Sequence, residues 1–141
     1  MGESVLVPVD RSARSDRALE YAIESFPDAE LTALHVINPS SYWYGDTDGY
    51  IYNDEIETWL RGQGKAVLEE AEETAAEYDR EIRTEPKLGS PARTITEYAT
   101  AHDVDHIVLG SHGRDGVSRI LLGSVAETVA RRAPVPVTII R

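Results

Sequence analysis

The chain has 141 residues, no cysteine and a formal net charge of −11, with 25 acidic side chains against 14 basic ones. That length suits one domain, expected over 1–141, with room for a proper core; the lack of cysteine excludes disulfides, thiolate catalysis and zinc–thiolate sites. No apolar run approaches the ~20 residues that cross a bilayer, and no basic-then-apolar leader opens the chain, so a cytoplasmic protein without membrane contact is expected. The acidic balance also argues against a nucleic-acid-binding face. Lys65 and Lys87 are the only lysines, and an acidic, lysine-poor surface fits a host with high internal salt, a halophilic reading that concerns solubility rather than fold.

In chain order, short apolar runs alternate with amphipathic helical ones. Strands are expected near Ser4–Val9, Leu31–Ile37, Glu81–Lys87, His106–Leu109 and Val135–Ile140. Between them, Ala18, Leu19, Ala22, Ile23 and Phe26 form one helical stripe. A longer stripe comprises Ile56, Trp59, Leu60, Val67, Ala71, Ala75 and Tyr78, and Gly62 and Gly64 are expected to weaken or break that helix near its middle. Ile95, Tyr98, Ala99 and His102 mark a third helix, and Val125, Val129 and Ala133 a fourth that Pro134 stops. Strand–helix alternation of this kind predicts an α/β fold, a parallel sheet with helices on both faces.

Two segments stand outside the periodic pattern. Asn38–Asn53 holds Tyr42, Trp43, Tyr44, Tyr50 and Tyr52, half of all the aromatics, in a connection long for a compact α/β domain; a lid or an interface is expected there. From Asp54 to Glu81 acids greatly outnumber Arg61, Lys65 and Arg80, which reads as a solvent-facing helix.

The chemistry is concentrated near the C-terminus. Gly110-Ser111-His112-Gly113 follows the apolar run Ile107-Val108-Leu109, and Gly123-Ser124 opens the fourth helix. Backbone N–H groups of glycine turns and of a helix start form a concave anion site. Ser124 and Glu127 also have the spacing of a capping box, in which the serine hydroxyl accepts from the Glu127 N–H; a phosphate on the backbone N–H groups of Ser124 and Val125 is compatible with that use. The Glu127 carboxylate would repel such an anion, which favours a bridging cation or a phosphate chain that stops short of it.

The spacing Gly-x2-Gly-x9-Gly-Ser resembles the nucleotide-binding signature of the universal stress protein family. The likeness extends to Ser4-Val5-Leu6-Val7-Pro8-Val9-Asp10 as first strand and terminal aspartate, to Leu34-His35-Val36 in the second strand, and to the ending from Ala133 to Arg141. It therefore covers nearly the whole chain.

The resemblance implies a three-layer sandwich with a five-stranded parallel sheet in order 3-2-1-4-5. That order puts the switch point between strands one and four, where ligands of open α/β sheets bind, and brings Asp10 beside Gly110. It implies ATP or another adenine nucleotide as ligand, with Mg²⁺ or Mn²⁺ as an accompanying ion. Asp10, after Pro8 and Val9, would contact the ribose or adenine end, Val36 would offer backbone groups to the adenine, and Gly110, Ser111, Gly113, Gly123, Ser124 and Val125 would hold the phosphates. His112, Arg114 and Arg119 lie in the bracketed loop, within reach of a phosphate. Where the family often has glycine after the aspartate, this chain has Arg11, which would crowd the pocket mouth or reach a phosphate.

Other ATP users lack support: there is no Gly-x4-Gly-Lys-Ser/Thr loop, no protein-kinase motif set and no His-x-Gly-His. A phosphoacceptor receiver needs an aspartate after strand three, where Gly89 stands. The resemblance implies at most slow ATP hydrolysis or self-phosphorylation, and the sequence assigns no base, nucleophile or arginine finger. The leading expectation is a nucleotide-controlled binding module that dimerises through Val135–Ile140, an apolar edge strand. The alternative is an ATP-independent dimeric interaction protein whose glycines serve turns only.

Overall fold

The computed structural model describes residues 2–39, 54–111 and 122–141. Within them the order is β1 (Ser4–Pro8), α1 (Ala13–Ser25), β2 (Glu30–Ile37), α2 (Asp54–Glu77), β3 (Arg83–Leu88), α3 (Pro91–Ala101), β4 (His106–Gly110), α4 (Ser124–Arg132) and β5 (Val137–Ile140). All strand pairs are parallel, in the order β3-β2-β1-β4-β5. The α/β class and the order expected from the resemblance are both found.

Side-chain alternation along the strands divides the core in two. Val5, Val7, Leu31, Ala33 and Val108 face α1 and α2. Leu6, Leu34, Ile107 and Leu109 face α3 and α4. Leu6, Leu34 and Ile107 are fully buried, each contributing about 1.5–3 kcal/mol of hydrophobic stabilisation.

Helix α1 begins earlier than its stripe suggested, because the Ser12 hydroxyl accepts from the Ser15 N–H at 3.0 Å and caps the first turn. At its other end Arg80 donates to the carbonyls of Ile23, Phe26 and Ala29 at 2.9, 3.2 and 2.9 Å. One guanidinium thus closes the α1–β2 turn from a residue far along the chain. Two aspartates just beyond helix ends, Asp79 and Asp103, adopt left-handed φ values of 58° and 52°, a conformation that aspartate tolerates better than most residues.

Several expectations are corrected. Helix α2 runs unbroken through Gly62 and Gly64. A Cβ on Gly64 would lie 2.8 Å from Ile37 Cδ1 and 3.2 Å from His35 Cδ2, so this glycine lets α2 lie close on β2. Leu68 belongs to the buried face of α2, whereas Trp59 and Tyr78 are exposed. His102 is exposed as well, stacked on Tyr98 at a centroid distance of 3.9 Å. Strand β5 starts at Val137, not Val135, since Pro134 and Pro136 have no N–H to give to a ladder. Strand β3 starts at Arg83 and reaches Leu88, later than expected. Of the aromatic segment, Tyr42, Trp43, Tyr44, Tyr50 and Tyr52 lie outside the described residues.

Candidate functional site

Strand lengths create a crevice at the C-terminal edge of the sheet. Pairing of β1 with β2 ends at Pro8 opposite Leu34, with one further bond from the Val9 N–H to the Leu34 carbonyl at 2.9 Å. Strand β2 continues to Ile37, whose carbonyl takes the Gly89 N–H on the β3 side at 2.9 Å. Backbone groups alternate between the two edges of a strand, so the Val36 N–H and C=O face the β1 side, beyond the last residue of β1. The Val36 side chain packs into the α3/α4 core.

Val9 is committed to the fold. Its N–H is used as described, its side chain is buried, and its carbonyl accepts from His35 at 2.8 Å, which places a proton on His35 Nδ1. Asp10 then turns the chain: its N–H donates to the Ser15 hydroxyl at 3.0 Å and its Oδ1 accepts from the Ser12 N–H at 2.9 Å. Arg11 follows at φ 73°, a left-handed conformation that glycine adopts without the cost arginine bears here. Its guanidinium pairs with Glu70 on α2 at 3.6 Å, an exposed contact of small energetic value.

Gly110 is the last residue of β4, paired with Ile140. A Cβ there would stand 2.9 Å from both the carbonyl carbon and the Cβ of Arg14. Gly110 therefore admits the first turn of α1 onto β4, a role distinct from the turn expected of it. The next residue is buried: Ser111 donates its N–H to the Ile140 carbonyl at 2.7 Å and accepts from the Gly123 N–H, also at 2.7 Å. His112, Gly113, Arg114 and Arg119 lie outside the described residues.

Gly123, with φ −68°, is the N-cap of α4, and its carbonyl takes the Glu127 N–H at 2.9 Å. Ser124 is thus the first helical residue rather than the cap, which corrects the capping-box reading. The N–H groups of Ser124, Val125 and Ala126 precede the first intrahelical bond and carry the positive end of the helix dipole. Glu127, whose charge threatened an anion here, pairs instead with Arg131 at 3.4 Å.

A second helix start faces the same region. Ser90 is the N-cap of α3 with Pro91 at the first position, and no side-chain hydrogen bond caps it. A cleft of about 750 Å³ is lined by Asn38, Ser90, Pro91, Arg93, Ser124 and Val125 among others, a volume typical of small-molecule pockets. Asn38 and the α3 start were not singled out from sequence. The Ser90-Pro91 pair was the available signal, since proline favours the first helical position.

His35 is held by Val9, His106 lies 2.7 Å from the Thr138 hydroxyl, and His102 lies 3.2 Å from the Tyr98 carbonyl. Among the described residues no three His, Asp or Glu side chains cluster as a metal site. What the region offers is amide donors, a carboxylate and hydroxyls, groups that bind and orient.

Such a crevice, at the β1/β4 switch point of an open parallel sheet, places the chain among the doubly wound α/β proteins. It belongs to the universal stress protein family, whose family model matches residues 1–141. Universal stress protein YxiE of Bacillus subtilis is 34% identical, with 100% of each chain covered. Among solved structures, that of MJ0577, a universal stress protein of Methanocaldococcus jannaschii, superposes with a TM-score of 0.83 at 26% identity, covering 99% of this chain and 96% of the other. A universal stress protein solved in complex with cAMP has a TM-score of 0.71 at 28% identity, covering 99% and 97%. Among the described residues no helix is long and apolar enough to cross a membrane.

Proposed function

We propose that this protein binds an adenine nucleotide, ATP in the first instance, in the crevice between β1 and β4, and acts as a nucleotide-controlled binding module in the cytoplasm. The reading rests above all on the bond from Gly123 to Ser111, which holds the free N–H groups of Ser124 and Val125 beside the end of β4. Phosphates at a helix start need such donors. The backbone of Val36 supplies a donor and an acceptor on the opposite side, suited to the edge of a purine. Asp10 stands between them, and among the described residues its Oδ2 accepts no hydrogen bond, which suits a ribose hydroxyl. The relative solved with cAMP supports this ligand class.

Mg²⁺ or Mn²⁺ enters as a companion of the phosphates, and chelation is expected to weaken ATP binding. Turnover is expected far below the ~1–10³ s⁻¹ of ordinary enzymes. Two copies associate through the outer edge of β5.

Mass spectrometry of the supernatant after denaturing the purified protein tests the reading, together with calorimetry of ATP on nucleotide-free protein. Release or uptake of an adenine nucleotide is expected. A protein that carries none and takes up none is instead an ATP-independent interaction module.

A further inference from the structure

Arg14 stands apart from the arginines around it. Arg11 pairs with Glu70 at 3.6 Å, and Arg17 Nη1 donates to the Arg141 carbonyl at 2.7 Å. Arg14 is partly buried and its Nε is fully enclosed, yet that nitrogen has no hydrogen-bond partner. Among the described residues it also forms no ion pair. An enclosed N–H donor without a partner is costly, and few native structures keep one without a use.

Its position indicates the use. Arg14 backbone atoms lie directly against Gly110, where a Cβ would come within 2.9 Å. The Cα–Cβ bond of a helical residue tilts toward the helix N-terminus, so Arg14, in the first turn of α1, leans toward the C-terminal edge of the sheet, the edge at which Asp10, Ser111 and the start of α4 lie. Removing the Gly110 side chain is what lets the Arg14 stem pass this close to the end of β4. Among the described residues no carboxylate pairs with the guanidinium, and Asp10 Oδ1 is engaged by the Ser12 N–H.

We infer that Arg14 is a specificity-determining residue of the crevice, donating to the terminal phosphates of the bound nucleotide so that the site distinguishes a polyphosphate from the bare nucleoside. This assignment rests on the nucleotide reading above. A guanidinium suits the task because its donors form a rigid fork matched to phosphate oxygens, whereas helix N–H groups supply only partial charge.

Calorimetry with ATP, adenosine and inorganic tripolyphosphate on wild type, Arg14→Gln and Arg14→Lys tests it. Arg14→Gln is expected to lower ATP affinity at least about tenfold, the size of a lost charged hydrogen bond, and to leave adenosine affinity unchanged. Arg14→Lys should recover part of the loss. Tripolyphosphate that binds as tightly as ATP, with adenosine not binding, would overturn a nucleotide site in favour of a polyphosphate one. Equal losses for ATP and adenosine, or no loss for ATP, overturn the assignment and leave the nucleotide reading standing. Wild type that binds none of the three overturns both.

A second readout needs no truncation. The Arg14 Nε–H resonance of wild type, assigned by its absence in Arg14→Lys, is expected to shift with ATP and to stay in place with adenosine. A resonance that ignores saturating ATP overturns the assignment even if Arg14→Gln fails to fold.

Discussion

The Gly123 N–H and the Ser111 carbonyl meet at 2.7 Å, so the two ends of the β4–α4 connection are fastened together whatever path the chain takes between them. Because Ser111 also donates to Ile140, this one residue joins β4, β5 and the start of α4. Gly123→Pro isolates the bond: φ is already −68°, which proline accepts, and only the N–H is lost. The buried Ser111 carbonyl left without its donor costs about 1–3 kcal/mol while the stiffer unfolded chain returns about 0.4–1. The melting temperature should therefore fall by no more than several degrees. ATP affinity should fall clearly, as the amides of Ser124 and Val125 lose their anchorage. Unchanged affinity in a folded variant would show that this bond does not position the site.

Arg80 carries stability rather than function. It satisfies three carbonyls where α1 ends and β2 begins, so Arg80→Ala leaves three part-buried acceptors without that donor. A loss of about 2–4 kcal/mol is expected by denaturant unfolding, with ATP affinity of the folded fraction unaffected. Arg80→Lys should restore little, because an ammonium is a poor substitute for a planar fork spanning three acceptors.

Asp16 gives the protein a pH-dependent weakness. Its pKa is raised above the ordinary 3.8 by burial first, then by Glu70 and Asp10. The folded state thus holds this proton more tightly than the unfolded state, and the group favours folding below 3.8 and opposes it as pH rises through the folded value. Asp16→Asn should raise the melting temperature at pH 7, a gain that fades as pH falls through 3.8. Molar KCl should stabilise wild type more than the variant by screening the carboxylates. An Asn variant that melts below wild type at pH 7 would mean that the α1 dipole outweighs the repulsion.

The outer edge of β5 leads to a prediction about assembly. Pro136 and Ile140 turn their carbonyls to Ile107 and Ser111 on the β4 side. By alternation the N–H groups of Val137 and Ile139 face outward. Ile139 and Ile140 pack into the two cores of their own chain, so pairing between copies would use this backbone edge more than apolar side chains. Light scattering should find a dimer for wild type and a monomer for Ile139→Pro, which removes an outward donor and leaves the Pro136 and Ile140 carbonyls on Ile107 and Ser111. A monomeric wild type, or a variant that stays dimeric, removes this edge as the interface.

What could be read from the chain alone was whatever neighbouring residues decide among themselves. Alternation in Val5-Leu6-Val7, the stripe of Ala18, Leu19, Ala22 and Ile23, and the stop at Pro134 are local patterns, and patterns of this kind located the strands and helices of the described residues to within a few positions. The spacing from Gly110 to Ser124, read as a family resemblance, gave the strand order and directed attention to one crevice. Tertiary structure decided the reasons behind single residues. Gly64 and Gly110 are explained by Ile37 and Arg14, contacts made across the fold. Ser124 yields the cap position to Gly123 because Gly123 is tied to Ser111. Arg80 reads as a solvated charge on an acidic helix until three carbonyls from the α1–β2 turn surround it. A side chain's partner depends on which elements the sheet brings together, and no window of sequence contains that distance.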